Sequence, residues 1–170
     1  HEAINDIADN GIDADATKIK VNFGDKNKRP YLIIGDNGHG MTEDILGGAL
    51  VIGASSKQLG SFAKNGVTLG KFGTGLKSSL LTLRGTATIL TKMQGGKLLK
   101  TIFHKDSVQE HFDKTGEWGI SIDPTTDKED LELFKEYTGN SSHGTVIFIE
   151  NIQKFTNRHH QAKMQIKSFA

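Results

Sequence analysis

The order of the segments predicts an α+β fold for this chain of 170 residues. Helical patterns come first, at residues 1–14 and 42–50. Strand patterns dominate later, where residues 86–91 and 98–103 alternate polar and apolar side chains around a Gly-Gly turn at 95–96. Helices followed by antiparallel strands, without a repeating βαβ pattern, indicate a layered architecture. The length suits one domain with its own core.

The first predicted helix, residues 1–14, carries apolar side chains on one face and three polar side chains on another. Glu2, Asp6 and Asn10 follow each other at four-residue spacing, which places them in one stripe along the helix. A solvated acidic face is the alternative interpretation of this stripe.

Two strands follow, at residues 18–23 and 31–35, and the segment GDKNKRP between them predicts a hairpin loop. Thr42 is a candidate N-cap for a helix that ends near Leu50, because acidic residues fill its first turn. Residues 51–72 are polar and punctuated by glycine, as is typical of a mobile lid.

The remaining elements alternate in type. Residues 75–83 have leucines on one helical stripe, residues 118–122 predict a strand, residues 128–137 an amphipathic helix, and residues 144–150 a buried strand. Both ends of the sequence lack start and stop signals, so we expect a piece of a longer protein. Its domain would cover residues 1–150, and residues 151–170 would be a C-terminal extension or the start of a following segment.

Composition excludes several classes of protein. The 21 Lys and Arg residues nearly balance the 20 Asp and Glu residues, so net charge predicts neither a nucleic acid nor an acidic surface as partner. The absence of cysteine excludes disulfide and thiolate chemistry and fits a reducing compartment, the cytoplasm or the nucleus. No apolar run approaches the roughly 20 residues that span a bilayer, and no secretion signal opens the chain.

Two glycine-rich motifs carry the functional hypothesis. GDNGHGM at 35–41 places the carboxylate of Asp36 at the end of a strand and follows it with two glycines. LGKFGTGLKSS at 69–79 is a glycine-dense loop that continues into a helix, a geometry that presents backbone N–H groups to phosphate. One motif can contact a base and the other can hold a phosphate chain.

These motifs, together with DIADNGIDA at 6–14 and Gly-Thr at 144–145, resemble four blocks of the GHKL superfamily in the same order. This superfamily includes gyrase B, Hsp90, MutL, MORC proteins and histidine kinases. The segment ASSK at 54–57 also resembles MutL-like members, and the third block is most similar to MORC-like and MutL-like proteins. The resemblance implies the Bergerat ATP-binding fold, a two-layer α/β sandwich with a mixed, mostly antiparallel sheet covered on one face by helices.

The resemblance implies a role for each matching residue. Asn10 would hold Mg²⁺ through a hard amide oxygen, although a helix-capping asparagine is the alternative. Asp36 would accept a hydrogen bond from the adenine amino group, which the guanine oxygen cannot give, and Thr145 would support this contact. Asp36 could instead be only a turn former. Asp6 stands where hydrolysing members have the glutamate that orients the attacking water.

Further ATP contacts are expected from the glycines and from residues around them. Gly38 and Gly40 would let the backbone approach the base and ribose, and the N–H groups of the 69–79 motif would face the phosphates. The complete set of expected ATP-binding residues is Asn10, Asp13, Asp36, Gly38, Gly40, Met41, Lys57, Gly70, Lys71, Phe72, Gly73, Thr74, Gly75, Leu76 and Thr145. The lysines, with Lys77, could also be solvated side chains of the lid.

The expected function is Mg-ATP binding with slow hydrolysis, because Asp6 is one methylene shorter than the usual glutamate and a displacement of about 1 Å can cost a hundredfold in rate. In relatives, closure of the lid drives dimerisation, so an ATP-dependent homodimer is expected here, with nucleic acid or a client protein contacting other domains. Two alternatives stay open: a nucleotide-gated interaction module without hydrolysis, and an Hsp90-like chaperone ATPase.

Overall fold

The computed structural model of the chain describes residues 2–51 and 75–153. Five helices and six strands occur in these ranges, and we number each type in chain order. They are α1 (Glu2–Asp13), β1 (Ile19–Lys26), β2 (Arg29–Asp36), α2 (Glu43–Val51), α3 (Gly75–Leu83), β3 (Thr86–Lys92), β4 (Leu99–Phe103), α4 (Ser107–Thr115), β5 (Asp123–Pro124), α5 (Lys128–Thr138) and β6 (Gly144–Glu150).

The six described strands form one antiparallel sheet in the order β1-β2-β6-β3-β4-β5. The last strand, β6, therefore lies between β2 and β3 in the middle of the sheet. Its inner position explains its nearly continuous apolar sequence, since both faces of a central strand are buried. The predicted α+β class with a mostly antiparallel sheet is confirmed.

Helices α1 to α4 contribute to the core on one face of the sheet. Alternate residues of the central strands point to that face, including Leu32 and Ile34 from β2 and Ile147 from β6. They pack against helical side chains such as Ile7 of α1 and Leu80 of α3. This is the helix-covered layer that the sequence predicts.

Helix α5 departs from the expectation of a single helix-covered face. Its residues Phe134 and Tyr137 pack against Ile33 and Val146, which alternate with the first set and so point to the opposite face. The contact is close at Gly35, where an added Cβ would lie 2.5 Å from the Cβ of Tyr137. An amphipathic pattern predicts that one side of a helix is buried, but it does not specify which face of the sheet receives it.

The first hairpin is tighter than predicted. The strands continue to Lys26 and from Arg29, so a two-residue turn replaces the expected loop of seven residues. Asn27 and Lys28 both have positive φ angles, 56° and 63°. This is the backbone of a type I′ turn, whose twist matches that of paired strands.

The predicted strand at residues 118–122 is wrong. That region follows α4, a short helix that the sequence analysis did not predict. Gly116 caps the end of this helix with a φ of 75°. Trp118 stacks on Phe112 of this helix with ring centroids 4.4 Å apart, instead of entering the sheet. Pairing with β4 is limited to Asp123–Pro124.

Candidate functional site

A cleft lies between the C-terminal half of α1, the start of α3 and the ends of β2 and β6. Apolar walls surround a few polar groups, as is usual for a small-molecule site. The residues that line it are Ile7, Asn10, Ala14, Ile34, Asp36, Gly40, Met41, Leu76, Thr145 and Ile147. The sequence predicted six of these as ATP contacts, namely Asn10, Asp36, Gly40, Met41, Leu76 and Thr145.

Asp36 is the buried carboxylate of the cleft, with only 9% of the residue exposed. Burial raises its pKa from 3.8 to about 6, because a charged carboxylate loses its water there. Backbone N–H groups of Gly38 and Thr145, with His39 and His143 nearby, act in the opposite direction. The Gly38 N–H donates to Oδ1 of Asp36 over 2.9 Å, so the carboxylate is held in one orientation.

Three polar side chains lie in line across the centre of the sheet. The register pairs Asp36 of β2 with Thr145 of β6, and Thr145 with Thr91 of β3. The hydroxyls of Thr91 and Thr145 are 2.9 Å apart, and the N–H of Met41 donates to Thr91 Oγ1 over 2.9 Å. Thr91 is fully buried behind the cleft. The sequence analysis missed it, because no pattern within residues 86–91 distinguishes this threonine from others on a strand.

The loop after Asp36 is fixed by its neighbours. The side-chain oxygen of Asn37 accepts hydrogen bonds from the backbone N–H groups of Thr17 and Lys18, at 2.9 and 2.8 Å. On the other side, Nδ1 of His143 lies 2.6 Å from the carbonyl oxygen of Gly38. These hydrogen bonds connect the loop to residues 17–18 on one side and to His143 on the other. Contacts within the protein therefore fix the position of this loop, which forms the floor of the cleft.

The structure requires glycine at positions 38 and 40 of this loop for a reason that differs from the predicted approach of a base and ribose. An added Cβ at Gly38 would lie 2.7 Å from the Cβ of Ala14, and one at Gly40 would lie 2.1 Å from the carbonyl oxygen of Lys92. Gly40 also has a φ of +73°, which side chains disfavour. Close packing within the protein therefore requires glycine at both positions, whether or not a base or ribose is nearby.

Gly11 is a further residue of the site that the sequence analysis did not single out. It is buried in α1, and an added Cβ would lie 3.1 Å from the Cβ of Asp36. The helix thus lies directly on the carboxylate that it shields from water. The sequence did contain a signal for this residue, a glycine inside an otherwise regular helix. Such a glycine lowers helix stability by about 1 kcal/mol relative to alanine, so its presence indicates a packing or functional requirement.

The polar stripe of α1 lies partly in the cleft. Asn10 lines the cleft and is half-buried, whereas Asp6, one turn earlier, is exposed. Oδ2 of Asp6 accepts a hydrogen bond from the hydroxyl of buried Ser79 on α3 over 3.2 Å. Asp13 is exposed and does not line the cleft. The structure therefore brings together Asn10 and Asp36, with Asp6 near them and Asp13 apart.

The start of α3 faces the same cleft. Leu76 is buried there, and an added Cβ at Gly75 would meet nothing within 4 Å, so space is open beside the first turn. The first N–H groups of a helix have no partner within the helix and carry partial positive charge. On the same turn, partial burial lowers the pKa of Lys77.

Several predicted residues lie outside the described ranges. These are Lys57, Gly70, Lys71, Phe72, Gly73 and Thr74, together with the ASSK segment and most of the extension at 151–170.

Over residues 2–51 and 75–153, no group of three or more His, Asp or Glu side chains is arranged to hold a metal ion. The described helices also include none with the length and apolar character needed to cross a membrane.

Residues 1–145 match the family described as "Histidine kinase-, DNA gyrase B-, and HSP90-like ATPase". The chain belongs to this family. Membership supports ATP binding by this domain and ATPase activity as its probable class of reaction. ATP in this family is usually accompanied by Mg²⁺.

Relatives among characterised proteins belong to the MORC group. The chain is 33% identical over 107 residues to ATPase morc-1 of Caenorhabditis elegans, covering 61% of this chain and 12% of that protein. It is also 33% identical over 107 residues to Protein MICRORCHIDIA 1 of Arabidopsis thaliana, covering 59% and 16%. The chain therefore spans less than a fifth of the length of these relatives.

A solved structure described as "Crystal Structure of N terminal domain of a DNA repair protein" shares the fold. Its TM-score is 0.56 at 21% identity, and the superposition covers 88% of this chain and 36% of the other. The resemblance to the GHKL superfamily and the MORC-like character expected from the motifs are both confirmed.

Proposed function

We propose that this domain binds Mg-ATP with the adenine ring against Asp36 and hydrolyses it slowly. The observation that carries the proposal is the buried carboxylate at the end of β2, held by the Gly38 N–H and shielded by α1. A buried carboxylate that loses more on leaving water than its hydrogen bonds return costs stability, and such groups are typical of functional sites. Family membership gives the ligand class.

The chemistry of Asp36 suits an adenine amino group. With a pKa of about 6, the carboxylate is mainly ionised at neutral pH and can only accept hydrogen bonds. The amino group of adenine donates at that position, whereas the oxygen of guanine would be repelled. Ile34, Met41 and Ile147 supply apolar walls for a planar ring.

The phosphate chain would extend from the base towards Asn10 and the start of α3. Asn10 offers an amide oxygen in the cleft, and the free N–H groups of the first turn of α3 favour anions. Mg²⁺, when bound, would neutralise charge on the phosphate oxygens, and Asn10 is the described residue suited to hold it with those oxygens. Lys57, Gly70, Lys71, Phe72, Gly73 and Thr74 complete the proposed ATP-binding set on motif grounds alone.

Asp6 would polarise the attacking water. It lies one helical turn before Asn10, and Ser79 holds one of its two carboxylate oxygens, so the other oxygen can accept a proton from water. The short side chain and the bond to Ser79 both restrict how far that oxygen reaches into the cleft. This restriction is the physical basis for expecting slow turnover.

A second candidate function follows from the same observation. If Asp6 cannot reach the water, the domain is a nucleotide-gated interaction module that binds ATP without useful hydrolysis. In both cases we propose that closure of the 51–72 lid controls dimerisation or partner binding. The names of the relatives favour a MORC-type parent protein over an Hsp90-like chaperone. A nucleic-acid-linked role for the full-length protein is a proposal that rests on the MORC-like and MutL-like motifs alone.

Phosphate release in the presence of Mg-ATP tests the catalytic role. We expect slow release by the wild type, a loss of a hundredfold or more in Asp6→Asn, and faster release in Asp6→Glu. Asp9→Asn is the matched control, since Asp9 is exposed on the same helix and does not line the cleft. Tight ATP binding without release, together with activity in Asp6→Glu, would support the interaction module.

Calorimetry tests the binding site itself. We expect ATP to bind the wild type and to bind Asp36→Ala at least tenfold more weakly. Absence of ATP binding by a folded wild type would contradict both candidate functions.

A further inference from the structure

His143 joins two segments of the chain that meet beside the cleft. Its ring nitrogen Nδ1 lies 2.6 Å from the carbonyl oxygen of Gly38, a residue 105 positions earlier in the sequence. A carbonyl oxygen has lone pairs but no proton, so the ring nitrogen must be the donor. Nδ1 carries a proton in one neutral tautomer of histidine and also in the imidazolium. This hydrogen bond can therefore form whether or not His143 is charged.

Gly38 is held at both of its backbone groups. Its N–H donates to Oδ1 of Asp36 over 2.9 Å, and its carbonyl oxygen accepts from His143. The two rotatable backbone bonds of Gly38 lie between these groups, and glycine has more conformational freedom than any other residue. Loss of the bond from His143 would free rotation about them, and the Gly38 N–H would no longer be directed at Asp36. One hydrogen bond therefore supports the other.

The two residues that follow His143 lie against Asp36 itself. An added Cβ at Gly144 would lie 2.1 Å from the carbonyl oxygen of Asp36. The backbone N–H of Thr145 donates to the Asp36 side chain. His143 differs from these two residues, because it contacts the loop after Asp36 and holds the carbonyl of Gly38. Three consecutive residues thus hold Asp36 and its loop from one side.

We propose that His143 is a positioning residue for Asp36, because it keeps the Gly38 N–H on the carboxylate and so fixes the direction in which that carboxylate meets the bound base. His143 itself does not line the cleft, so it acts through Gly38. A donor at Nδ1 is sufficient for this role, and a positive charge is not required. The alternative is an electrostatic role, in which a protonated His143 stabilises the charged carboxylate from nearby. The inference rests on the proposed function.

Two substitutions of His143 separate the donor from the charge. His143→Leu removes both, whereas His143→Asn keeps an N–H donor close to the position of Nδ1 and carries no charge. Ser142→Ala is the matched control, because Ser142 lies in the same loop but donates to Gln94 instead of to the segment after Asp36. Thermal unfolding of each variant checks that it is folded.

Hydrogen exchange of the Gly38 amide measures the first step without any nucleotide. We expect this amide to exchange at least tenfold faster in His143→Leu than in the wild type, the change that loss of about one hydrogen bond gives. His143→Asn and Ser142→Ala should exchange at the wild-type rate. An unchanged rate in His143→Leu overturns the inference. A rate in His143→Asn as fast as that in His143→Leu also overturns it, in favour of the electrostatic role.

Calorimetry measures the second step, the recognition of the base. ATP is compared with purine riboside triphosphate, which lacks the 6-amino group that would donate to Asp36. The wild type should bind ATP about tenfold more tightly, as one hydrogen bond to a charged acceptor gives. In His143→Leu this ratio should fall below about threefold through weaker ATP binding. His143→Asn and Ser142→Ala should keep the wild-type ratio.

The remaining outcomes also decide the matter. Equal weakening of both nucleotides in His143→Leu overturns the inference, since His143 would then only support the fold. A wild type that binds both nucleotides equally overturns it too, while leaving ATP binding intact. A wild type that binds neither nucleotide contradicts the proposed function, and the exchange rates of the Gly38 amide then still decide whether His143 holds the loop.

Discussion

Replacing Asp36 with asparagine should make the nucleotide-free protein more stable while weakening ATP binding. Burial raises the pKa of Asp36 from 3.8 to about 6, so the folded chain holds this proton more tightly than the unfolded chain does. Ionisation of Asp36 therefore lowers the free energy of unfolding as the pH rises from 3.8 to 6, and above pH 6 the whole reduction is present. The difference between the two pKa values corresponds to about 3 kcal/mol.

Asparagine removes this cost and keeps an oxygen that can accept the Gly38 N–H. We expect Asp36→Asn to raise the free energy of unfolding by about 2–3 kcal/mol at pH 8 and by about half as much at pH 5, because only part of the cost is present at pH 5. Urea unfolding followed by the fluorescence of Trp118, the single tryptophan, measures both values. Equal stability of the two proteins at pH 8, or a gain that does not grow between pH 5 and pH 8, would refute this reasoning.

Three other substitutions test the loop of the site and the cap of a helix behind the sheet, by thermal or urea unfolding and, for Asn37, also by calorimetry. Gly40→Ala should destabilise the fold by more than about 2 kcal/mol, because its Cβ would overlap a backbone carbonyl. Gly95→Ala is the control, with a similar φ of +72° but nothing within 4 Å, and should cost only about 1 kcal/mol; equal costs would contradict the overlap. Asp127→Ala should cost about 1 kcal/mol, since its side chain caps α5 by accepting two backbone N–H groups, and no change would argue against that cap. Asn37→Ala should lower both stability and ATP affinity by loosening the cleft floor; unchanged affinity in calorimetry would show that the loop holds its shape without Asn37.

Local sequence patterns were sufficient to predict most of the helices and strands. Residues 75–83 and 144–150 have the predicted bounds in the structure, because leucine spacing and a run of β-branched residues each identify one secondary structure. Helix α4 was missed because it is short and mostly polar. Its amphipathic signal is carried chiefly by Val108 and Phe112, which is too little to distinguish it from a loop.

The sequence predicted those residues of the site that belong to a motif within a single segment. Asp36 and Asn10 belong to recognisable motifs, and the structure brings them to one cleft. Thr91 could not be assigned a role from sequence, since it depends on the register between strands more than 50 residues apart. Gly11 likewise depends on how closely α1 approaches β2.

The contact between Gly35 and Tyr137 links the ligand side of the sheet to its reverse side. Strand β2 carries Asp36 towards the cleft and rests, one residue earlier, directly on the backbone and side chain of Tyr137, whose hydroxyl also accepts a hydrogen bond from Asn22 at 2.9 Å. A displacement of β2 by a ligand must therefore be transmitted to this tyrosine. A substitution at Gly35 would in consequence act on both faces of the sheet at once, on the packing of α5 behind it and on the position of Asp36 in front of it.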